Sequence, residues 1–420
     1  MSIQIPIDNL SDEQKGKIDN DLCITLKSSY GMFENTRHIY PYEIVNNQVT
    51  IPFAFGTQVL GVKRPTRNSE SIMNVNFTGE LREEQKIVQD EAIQILNKHG
   101  SIIIGLHVGF GKTILSIKLA CMIKLKTLVV VNKLVLIKQW EESIKTFCPL
   151  AKIQKLTTKS SFDESADFFI MNAINIPKMG RTFFSLCKTL IIDESHCILA
   201  EKLSNLMLYV QPRYLIGLSA TPERYDGLNI LFDLYFGKFK IVRVLHHKHT
   251  VYRVDTGFKP KVELSINGKV NWNIVLDSQS KDLKRNELII SIVKKHSDRV
   301  FLILVKRIEQ GNFLLKRLKE ENEHVDSLLG TQQEFDKTCR VLIGTSCKVG
   351  VGFDFDRLNA LILACDIEAY FIQFLGRVSR KKDNHPLIFD LVDTNPILEK
   401  HFKTRRMVYQ KHGGIIHKYL

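Results

Sequence analysis

Short, continuous apolar runs recur along the whole chain and predict its architecture. They are "SIIIG", "TLVVVN", "FFIMNA", "TLIIDE" and "YLIGLSA", followed further along by "RVFLILV", "VLIGT", "ALILA" and "PLIFDLV". Continuous apolar runs predict strands that are buried on both faces, whereas alternating runs predict strands with one face in water. Helical stretches separate the runs, which is typical of parallel sheets of the doubly wound kind. The pattern therefore predicts an α/β fold with two such sheets.

The series of apolar runs is interrupted once, between Pro222 and about Leu283, where the sequence is basic and rich in turn residues. Period-two segments in this stretch favour a small ribbon or an interdomain connection. Before the first run, the stretch "HIYPYEIVNNQVTIPFAFG" predicts further strands but carries no recognisable chemistry. The predicted segments are an N-terminal accessory region at 1–78, an α/β domain at 79–235, a linker at 236–283 and a second α/β domain at 284–420.

Composition and charge narrow the class of protein. The 420 residues are 44% hydrophobic and 25% charged, which is ordinary for a globular protein. No apolar run reaches the roughly 18 residues of a membrane span, and the start lacks the blocks of a signal peptide, so we expect a soluble, intracellular protein with no membrane partner. The eight cysteines never form Cys-x-x-Cys, which argues against a zinc site or a disulfide framework. The net charge of +14 favours a polyanionic partner, although a solvated basic surface would have the same charge.

A glycine-rich stretch, "GLHVGFGKT", follows the first apolar run. The strict phosphate-loop pattern requires glycine where this chain has Leu106, but Gly109, Gly111, Lys112 and Thr113 stand in the order that such a loop needs. The glycines allow backbone N–H groups to face a phosphate, and a helix that starts near the lysine adds its positive end. The alternative is a glycine turn beside a solvated lysine.

If the stretch is a phosphate loop, its ligands are ATP and Mg²⁺. Lys112 would contact the β- and γ-phosphates, and the Thr113 hydroxyl would hold the metal ion. The whole loop, which we predict to bind the nucleotide, consists of Leu106, His107, Val108, Gly109, Phe110, Gly111, Lys112 and Thr113.

An acidic pair ends another apolar run, "TLIIDESH", about 80 residues after the loop. Asp193 would bind Mg²⁺, and Glu194 would orient and deprotonate the attacking water. The alternative is a pair of carboxylates that cap a helix N-terminus. His196 completes Asp-Glu-x-His, and a lone histidine at such a position is often a structural hydrogen-bonding group.

The stretch "QFLGRVSR" near the C-terminus is the third signal. It predicts the start of a helix on which Arg377 and Arg380 lie one turn apart. Gln373 precedes the two arginines on the same helix. Paired guanidinium groups suit a γ-phosphate whose charge spreads in the transition state. The alternative is a basic helix that faces solvent, as "RVSRKK" permits.

Residues 80 to 395 resemble superfamily 2 helicases of the DExH type, in the branch that includes XPB-like and UvsW-like DNA translocases. The compact helicases of large cytoplasmic DNA viruses are also similar, particularly around "DESHCILA" and "GLSATPERYDG". Further ordered segments carry the resemblance: "LREEQ", "VVVNKLVLIKQW", "LSATPER", "FLILVKRIEQG" and "GTSCKVGVGFDF".

The resemblance implies two RecA-like domains with ATP in the cleft between them. The first domain would bring the loop, the metal ligand and the base, and the second would bring the arginines. Nucleic acid would be held mainly through its phosphates and hence without sequence preference. The site residues that the resemblance adds are Arg82 and Gln85 at the adenine, His196, Ser219, Thr221, Gly352 and Asp354 in coupling hydrolysis to movement, and Lys133 and Thr345 at the nucleic acid.

Three classes of function follow, with different requirements. An ATP-driven helicase or translocase uses every motif. We expect it to act on DNA with 3′→5′ polarity and, if the protein is viral, in the cytoplasm or nucleus of a host cell. A binding protein on an inactive ATPase scaffold would usually have lost a catalytic residue, and a kinase or GTPase would not need the paired arginines. Within the first class, translocation on duplex DNA without strand separation and action on RNA both remain open.

Overall fold

The computed structural model forms two compact units, one of residues 1–106 and 110–243 and the other of residues 107–109 and 244–420. Each unit is described by itself below. The structure describes residues 1–30, 33–198, 204–220, 228–265, 268, 270–350, 353, 355–367, 371–379 and 384–420.

The first unit begins with small antiparallel elements. Strands β1, β5 and β4 form a three-stranded sheet in that order, and β2 pairs with β3. Their bounds are β1 Ser2–Pro6, β2 Ile24–Tyr30, β3 Phe33–Ile39, β4 Glu43–Val45 and β5 Gln48–Pro52, with helix α1 at Asp12–Asp21 between β1 and β2. Ile3 and Phe53 are buried in the same apolar cluster as Ile103 and Phe236 of the main sheet layer. The N-terminal region therefore shares the core of the first unit.

The main sheet of the first unit has seven strands, and all of its neighbouring pairs are parallel. The strands are β6 Ser101–Leu106, β7 Thr127–Val131, β8 Ile153–Leu156, β9 Phe168–Asn172, β10 Thr189–Ile192, β11 Tyr214–Ser219 and β12 Lys240–Arg243, in the spatial order β12-β6-β11-β10-β7-β9-β8. The helices are α2 Glu83–His99, α3 Lys112–Ile123, α4 Leu134–Phe147, α5 Ser195–Ile198 and α6 Asn229–Phe236.

The central strands are buried on both faces, as their continuous apolar runs predict. Gly217 in β11 shows how closely helix and sheet pack, because a Cβ there would lie 2.5 Å from Ile103 and 2.6 Å from the Phe236 ring. Glycine at this position lets α6 approach the sheet.

The second unit is built on another seven-stranded parallel sheet, in the order β15-β16-β14-β17-β18-β13-β19. Its strands are β13 His249–Asp255, β14 Phe301–Val305, β15 Val325–Leu328, β16 Val341–Thr345, β17 Ala360–Leu363, β18 Leu387–Val392 and β19 Gly414–Lys418. Its helices are α7 Trp272–Lys281, α8 Leu283–Lys295, α9 Ile308–Glu320, α10 Ser346–Gly350, α11 Phe371–Val378 and α12 Pro396–Lys411. The predicted α/β class is confirmed.

The segment predicted as a linker, 236–283, is distributed between the two units. Its first strand, β12, pairs with β6, and its second strand, β13, lies between β18 and β19. Each strand is a hydrogen-bonded member of the main sheet of its own unit. An antiparallel bridge joins Leu264 and Val270 further along the segment, and the predicted ribbon or interdomain connection stays a prediction.

A buried polar network fastens α12 to the second sheet. The Arg405 guanidinium donates to both carboxylate oxygens of Asp390 at 2.8 Å and to Asp366 at 2.9 Å. Tyr409 donates to Asp390 as well, at 2.9 Å. Every charge in this set has an opposite partner, which is the condition for burying charges in a core.

Among the helices that the structure describes, none is long and apolar enough to cross a membrane.

Candidate functional site

The glycine-rich loop connects the carboxyl end of β6 to the first residue of α3. Gly109 and Gly111 have φ of +84° and +95°, a region that favours glycine. A Cβ at Gly111 would also lie 2.4 Å from the Gln85 side-chain amide. The Lys112 ammonium donates to the Leu106 carbonyl at 2.9 Å and so lies back across the loop. The loop therefore has the left-handed glycines and the helix start that a phosphate cradle needs.

Gln85 holds this loop from α2. Its side chain is buried, its Nε2 donates to the Phe110 carbonyl at 2.7 Å, and its Oε1 accepts from the Arg82 backbone N–H at 2.8 Å. The Arg82 guanidinium also donates to the Phe110 carbonyl. Both side chains therefore lie beside the loop backbone. Their contact with the adenine of a bound nucleotide stays a prediction.

The acidic pair follows β10 directly. Asp193 is 8% exposed, and its Oδ2 accepts from the indole Nε1 of Trp140 at 2.9 Å. Its Oδ1 accepts from the Glu194 backbone N–H at 3.0 Å. Burial, and then the neighbouring Glu194 carboxylate, raise the pKa of Asp193 to about 6, while Trp140 and Lys112 act in the opposite direction.

Glu194 has φ of +48°, in the left-handed region that a non-glycine residue rarely adopts. Such backbone strain is typical of functional sites. The His196 Nδ1 lies 3.4 Å from a Glu194 carboxylate oxygen and 3.0 Å from the Ser219 hydroxyl. His196 thus links the acidic pair to the end of β11, and the Ser195 hydroxyl adds a bond to the Leu218 carbonyl at 3.0 Å.

Strand order brings the loop and the acidic pair to one edge of the sheet. Strands β6, β11 and β10 are consecutive neighbours, and the two features follow the carboxyl ends of β6 and β10. The carboxyl edge of a parallel sheet is where ligands bind in open α/β folds. Lys112 is near enough for its charge to act on the pKa of Asp193.

These residues fit ATP and Mg²⁺. The loop offers backbone N–H groups at the start of a twelve-residue helix, and Lys112 offers a charge for a phosphate. Thr113, half-buried, and Asp193 would hold Mg²⁺ through oxygen atoms, the ligand type that this ion prefers. The raised pKa of Asp193 fits a carboxylate placed to meet a cation.

The pH dependence of stability tests this environment. The pKa of Asp193 in the folded chain is raised above its unfolded value, so the folded state loses stability as pH rises through about 6. Asp193→Asn cannot ionise. In metal-free buffer without nucleotide, the melting temperature of the variant minus that of the wild type is expected to rise between pH 4 and about 6.5 and then to level off. An asparagine side chain can accept only one of the two hydrogen bonds, from Trp140 or from the Glu194 N–H, but the cost of losing the other does not vary with pH. A difference in melting temperature that stays constant with pH would therefore contradict the raised pKa of Asp193.

Trp140 is a site residue that sequence reasoning missed. It lies on α4, is 1% exposed and donates to Asp193 from a neighbouring helix. Trp140 is the last residue of "VVVNKLVLIKQW", but only the fold brings α4 to the end of β10. Lys133 is the N-cap residue of the same helix and follows β7, so it lies at the same sheet edge as the loop.

Three further predicted site residues that the structure describes lie in the second unit. Thr345 is the last residue of β16 and is half-buried. Gln373 is 7% exposed and lies on α11 with Arg377, whose guanidinium donates to the carbonyls of Phe353 and, at 2.5 Å, of Gly350.

The prediction that this helix begins at "QFLGRVSR" is wrong. The helix starts at Phe371 and ends at Val378, so Arg377 lies in its last turn. Phe371, two residues before Gln373, belongs to the helix and packs in the core of the unit. Four predicted site residues lie outside the described residues: Thr221, Gly352, Asp354 and Arg380.

Fold and site together define a class: a phosphate-loop ATPase with two RecA-like sheets. Residues 78–224 match the family model described as "Type III restriction enzyme, res subunit". The chain is 47% identical over 402 residues to "Putative helicase 161L" of Invertebrate iridescent virus 6, covering 90% of this chain and 91% of that protein. It is also 24% identical over 381 residues to "DNA 3'-5' translocase XPB2" of Sulfurisphaera tokodaii, covering 74% of this chain and 81% of that protein.

A solved structure agrees with the fold. S. cerevisiae Dbp5 bound to RNA and ADP BeF3 matches with a TM-score of 0.57 at 14% identity, over 81% of this chain and 94% of that one. The chain belongs to the superfamily 2 helicases, in a family with the putative helicases of iridescent viruses, and is an ATP-hydrolysing enzyme.

Proposed function

We propose that this protein is an ATP-driven motor that moves along DNA in the 3′→5′ direction and separates its strands. One observation carries the proposal: the loop with Lys112 and the Asp193–Glu194 pair lie at the same edge of one parallel sheet. Lys112 follows β6, and Asp193 and Glu194 follow β10, two strands away in the sheet. A phosphate-binding lysine, a metal ligand and a base are the set that hydrolysis of a triphosphate needs.

Each residue has a defined task in this proposal. Lys112 would hold the β- and γ-phosphates of ATP, and Thr113 and Asp193 would hold Mg²⁺, which would neutralise charge on the phosphates. Glu194 accepts the proton of the attacking water. His196 lies within reach of both Glu194 and Ser219, so a change at the base can be passed to β11.

The second unit completes the chemistry. We assign to Arg380, and to Gln373 and Arg377 beside it in sequence, the stabilisation of charge that develops on the phosphate in the transition state. Arg377 is also a positioning residue, because its guanidinium bonds to the carbonyls of Gly350 and Phe353 within its own unit. Hydrolysis then requires both units.

DNA is favoured as the substrate by the name of the archaeal relative, a DNA 3'-5' translocase. The net charge of +14 suits any nucleic acid. Lys133 and Thr345 are assigned to the phosphates of the bound strand, so binding should not depend on sequence. Translocation on duplex DNA without strand separation is the second candidate, since the same relative is called a translocase.

A strand-displacement assay on DNA and RNA duplexes with 3′ or 5′ overhangs, run beside an ATPase assay, tests the proposal. We expect ATPase stimulation by DNA and release of a strand only from DNA with a 3′ overhang. ATPase stimulation without strand release would favour the second candidate, and preference for RNA duplexes would overturn the DNA assignment.

Lys112→Ala tests the loop itself. The variant loses a charge-assisted contact with phosphate worth about 1.5–3 kcal/mol, so the KM for ATP should rise roughly 10- to 150-fold. Lys118→Ala on the same helix removes the same charge but lies away from the loop, beside the Phe77 ring, and should leave KM unchanged. Equal KM values for wild type and Lys112→Ala would mean that the loop is only a turn.

A further inference from the structure

A second basic cavity lies in the first unit, away from the loop. It has a volume of about 930 Å³ and is lined by the helical turn at Phe55–Val59 and the residues after it, by the end of α2, and by the segment from α6 to β12. Lys98 and His99 come directly before β6, and Arg213 comes directly before β11. The cavity is therefore at the amino edge of the sheet, roughly 20 Å from the loop across the length of β6.

Positive charge dominates the cavity lining. Five of its residues are lysine or arginine, and the one acidic lining residue is Asp233. That carboxylate already pairs with Lys240 outside the cavity, at 2.9 Å. Within the described part of the chain, the ammonium groups of Lys63, Lys98 and Lys238 have no carboxylate within 4.0 Å. Among the described residues, these three lysines thus have no ion-pair partner.

The arginines of the cavity are fixed by the backbone. Arg64 donates to the carbonyls of Leu96 and Asn97 at 3.0 and 2.9 Å, and Arg213 donates to that of Pro65 at 2.7 Å. Both guanidinium groups lie beside the Tyr214 ring, within 6 Å of its centre. These arginines are held in place before any ligand arrives, which lowers the entropic cost of binding an anion.

Some of the other cations also have a structural explanation. Lys98 and His99 lie in the last turn of α2, where positive charge is favoured by the helix dipole. Lys63 and Lys238 lie in the segments that follow the helical turn Phe55–Val59 and α6, and Lys238 comes directly after Gly237, the C-cap residue of α6. Helix dipoles do not explain why Lys63, Lys98 and Lys238, which come from three separate segments, line the same cavity.

An aromatic platform adjoins the charges. The His99 and Phe239 rings are stacked with their centroids 3.8 Å apart, and Phe239 is 38% exposed. An exposed aromatic ring beside clustered Lys and Arg is the combination that binds a base and its phosphate together. A simple inorganic anion or an acidic peptide would not use the ring.

We propose that this cavity is a second binding site for a nucleoside phosphate, either as a free nucleotide or as one unit of a nucleic-acid strand. The phosphate lies against Lys63, Lys238 and the anchored arginines, and the base stacks on Phe239. The site does not depend on hydrolysis at the loop, so its failure and that of the proposed function are separable.

The experiment uses the full chain with Lys112→Ala as background and two probes: AMP, which lacks the phosphates that the loop would hold, and a labelled (dT)12 strand. The variants are Lys63→Ala, Lys238→Ala and their double. Lys152→Ala is the matched control, because Lys152 is an exposed lysine before β8, at the opposite end of the same sheet. AMP binding is followed by calorimetry and (dT)12 binding by anisotropy over a salt series.

If a strand occupies the cavity, each lysine removed should reduce the slope of log affinity against log salt by about 0.7 for (dT)12, with no change for the control. If a free nucleotide occupies it, AMP should bind at one site per chain and weaken at least tenfold in the double variant. Phe239→Trp adds a reporter, whose fluorescence should be quenched by the probe that binds. No AMP binding, together with a (dT)12 salt slope equal to that of the control in every variant, would overturn the proposal.

Discussion

Glu194→Gln is expected to leave ATP binding intact while lowering the rate of hydrolysis by about 10²–10⁴-fold. Glutamine keeps the shape of the side chain, and the His196 nitrogen 3.4 Å away can still meet its oxygen, but the amide cannot accept the proton of water. The measurement is the steady-state ATPase rate with saturating DNA, beside nucleotide affinity from equilibrium binding.

Glu70→Gln serves as the matched control for this prediction. Glu70 is an exposed residue of the same unit and carries no assigned task. The Glu70→Gln variant should hydrolyse ATP at the wild-type rate. Loss of nucleotide affinity along with hydrolysis in Glu194→Gln would instead mark Glu194 as a structural residue, because its left-handed backbone is sensitive to changes around it.

Arg380→Ala is expected to lower the DNA-stimulated ATPase rate by up to about 10³-fold, with a much smaller change in the KM for ATP. An arginine that acts only as charge develops in the transition state contributes little to ground-state binding. Arg380→Lys should rescue poorly, since an ammonium lacks the planar fork of donors. Binding to single-stranded DNA should persist.

Arg406→Ala is the control within the same unit, because Arg406 is exposed on α12 and has no assigned task. It should keep the wild-type rate. A wild-type rate for Arg380→Ala with saturating DNA would show that Arg380 does not take part in hydrolysis, and Arg377 would become the next arginine to test. In Arg377→Ala the bonds to Gly350 and Phe353 are also lost, so a thermal melt must accompany its kinetics.

The buried strands were predictable because their information is local. In "TLIIDE" the run "LII" is apolar and is expected in a strand buried on both faces, so the acidic residues that follow it must lie at the end of that strand. The same locality made the loop readable, since Gly109, Gly111 and Lys112 are adjacent in sequence and their backbone requirements do not depend on distant residues.

Contacts between distant residues were not predictable in this way. Asp193 is bonded by Trp140, 53 positions earlier, and the Phe110 carbonyl is bonded by Gln85, 25 positions earlier. Neither pair has a local signature, because each depends on how a helix packs beside a strand end. The end of α11 at Val378 also depends on which apolar residues the second core takes up.

The sequence by itself determined the α/β class, the positions of the glycine-rich loop and of the acidic pair, and the family, because each follows from residues that are close together along the chain. The tertiary structure alone decided that the N-terminal region joins the core of the first unit, since Ile3 and Phe236 meet only after folding. It also decided that Lys63, Lys98 and Lys238 surround one cavity. Packing of apolar faces brings such residues together, and a pattern of hydrophobic positions states which faces are apolar but not which of them will meet.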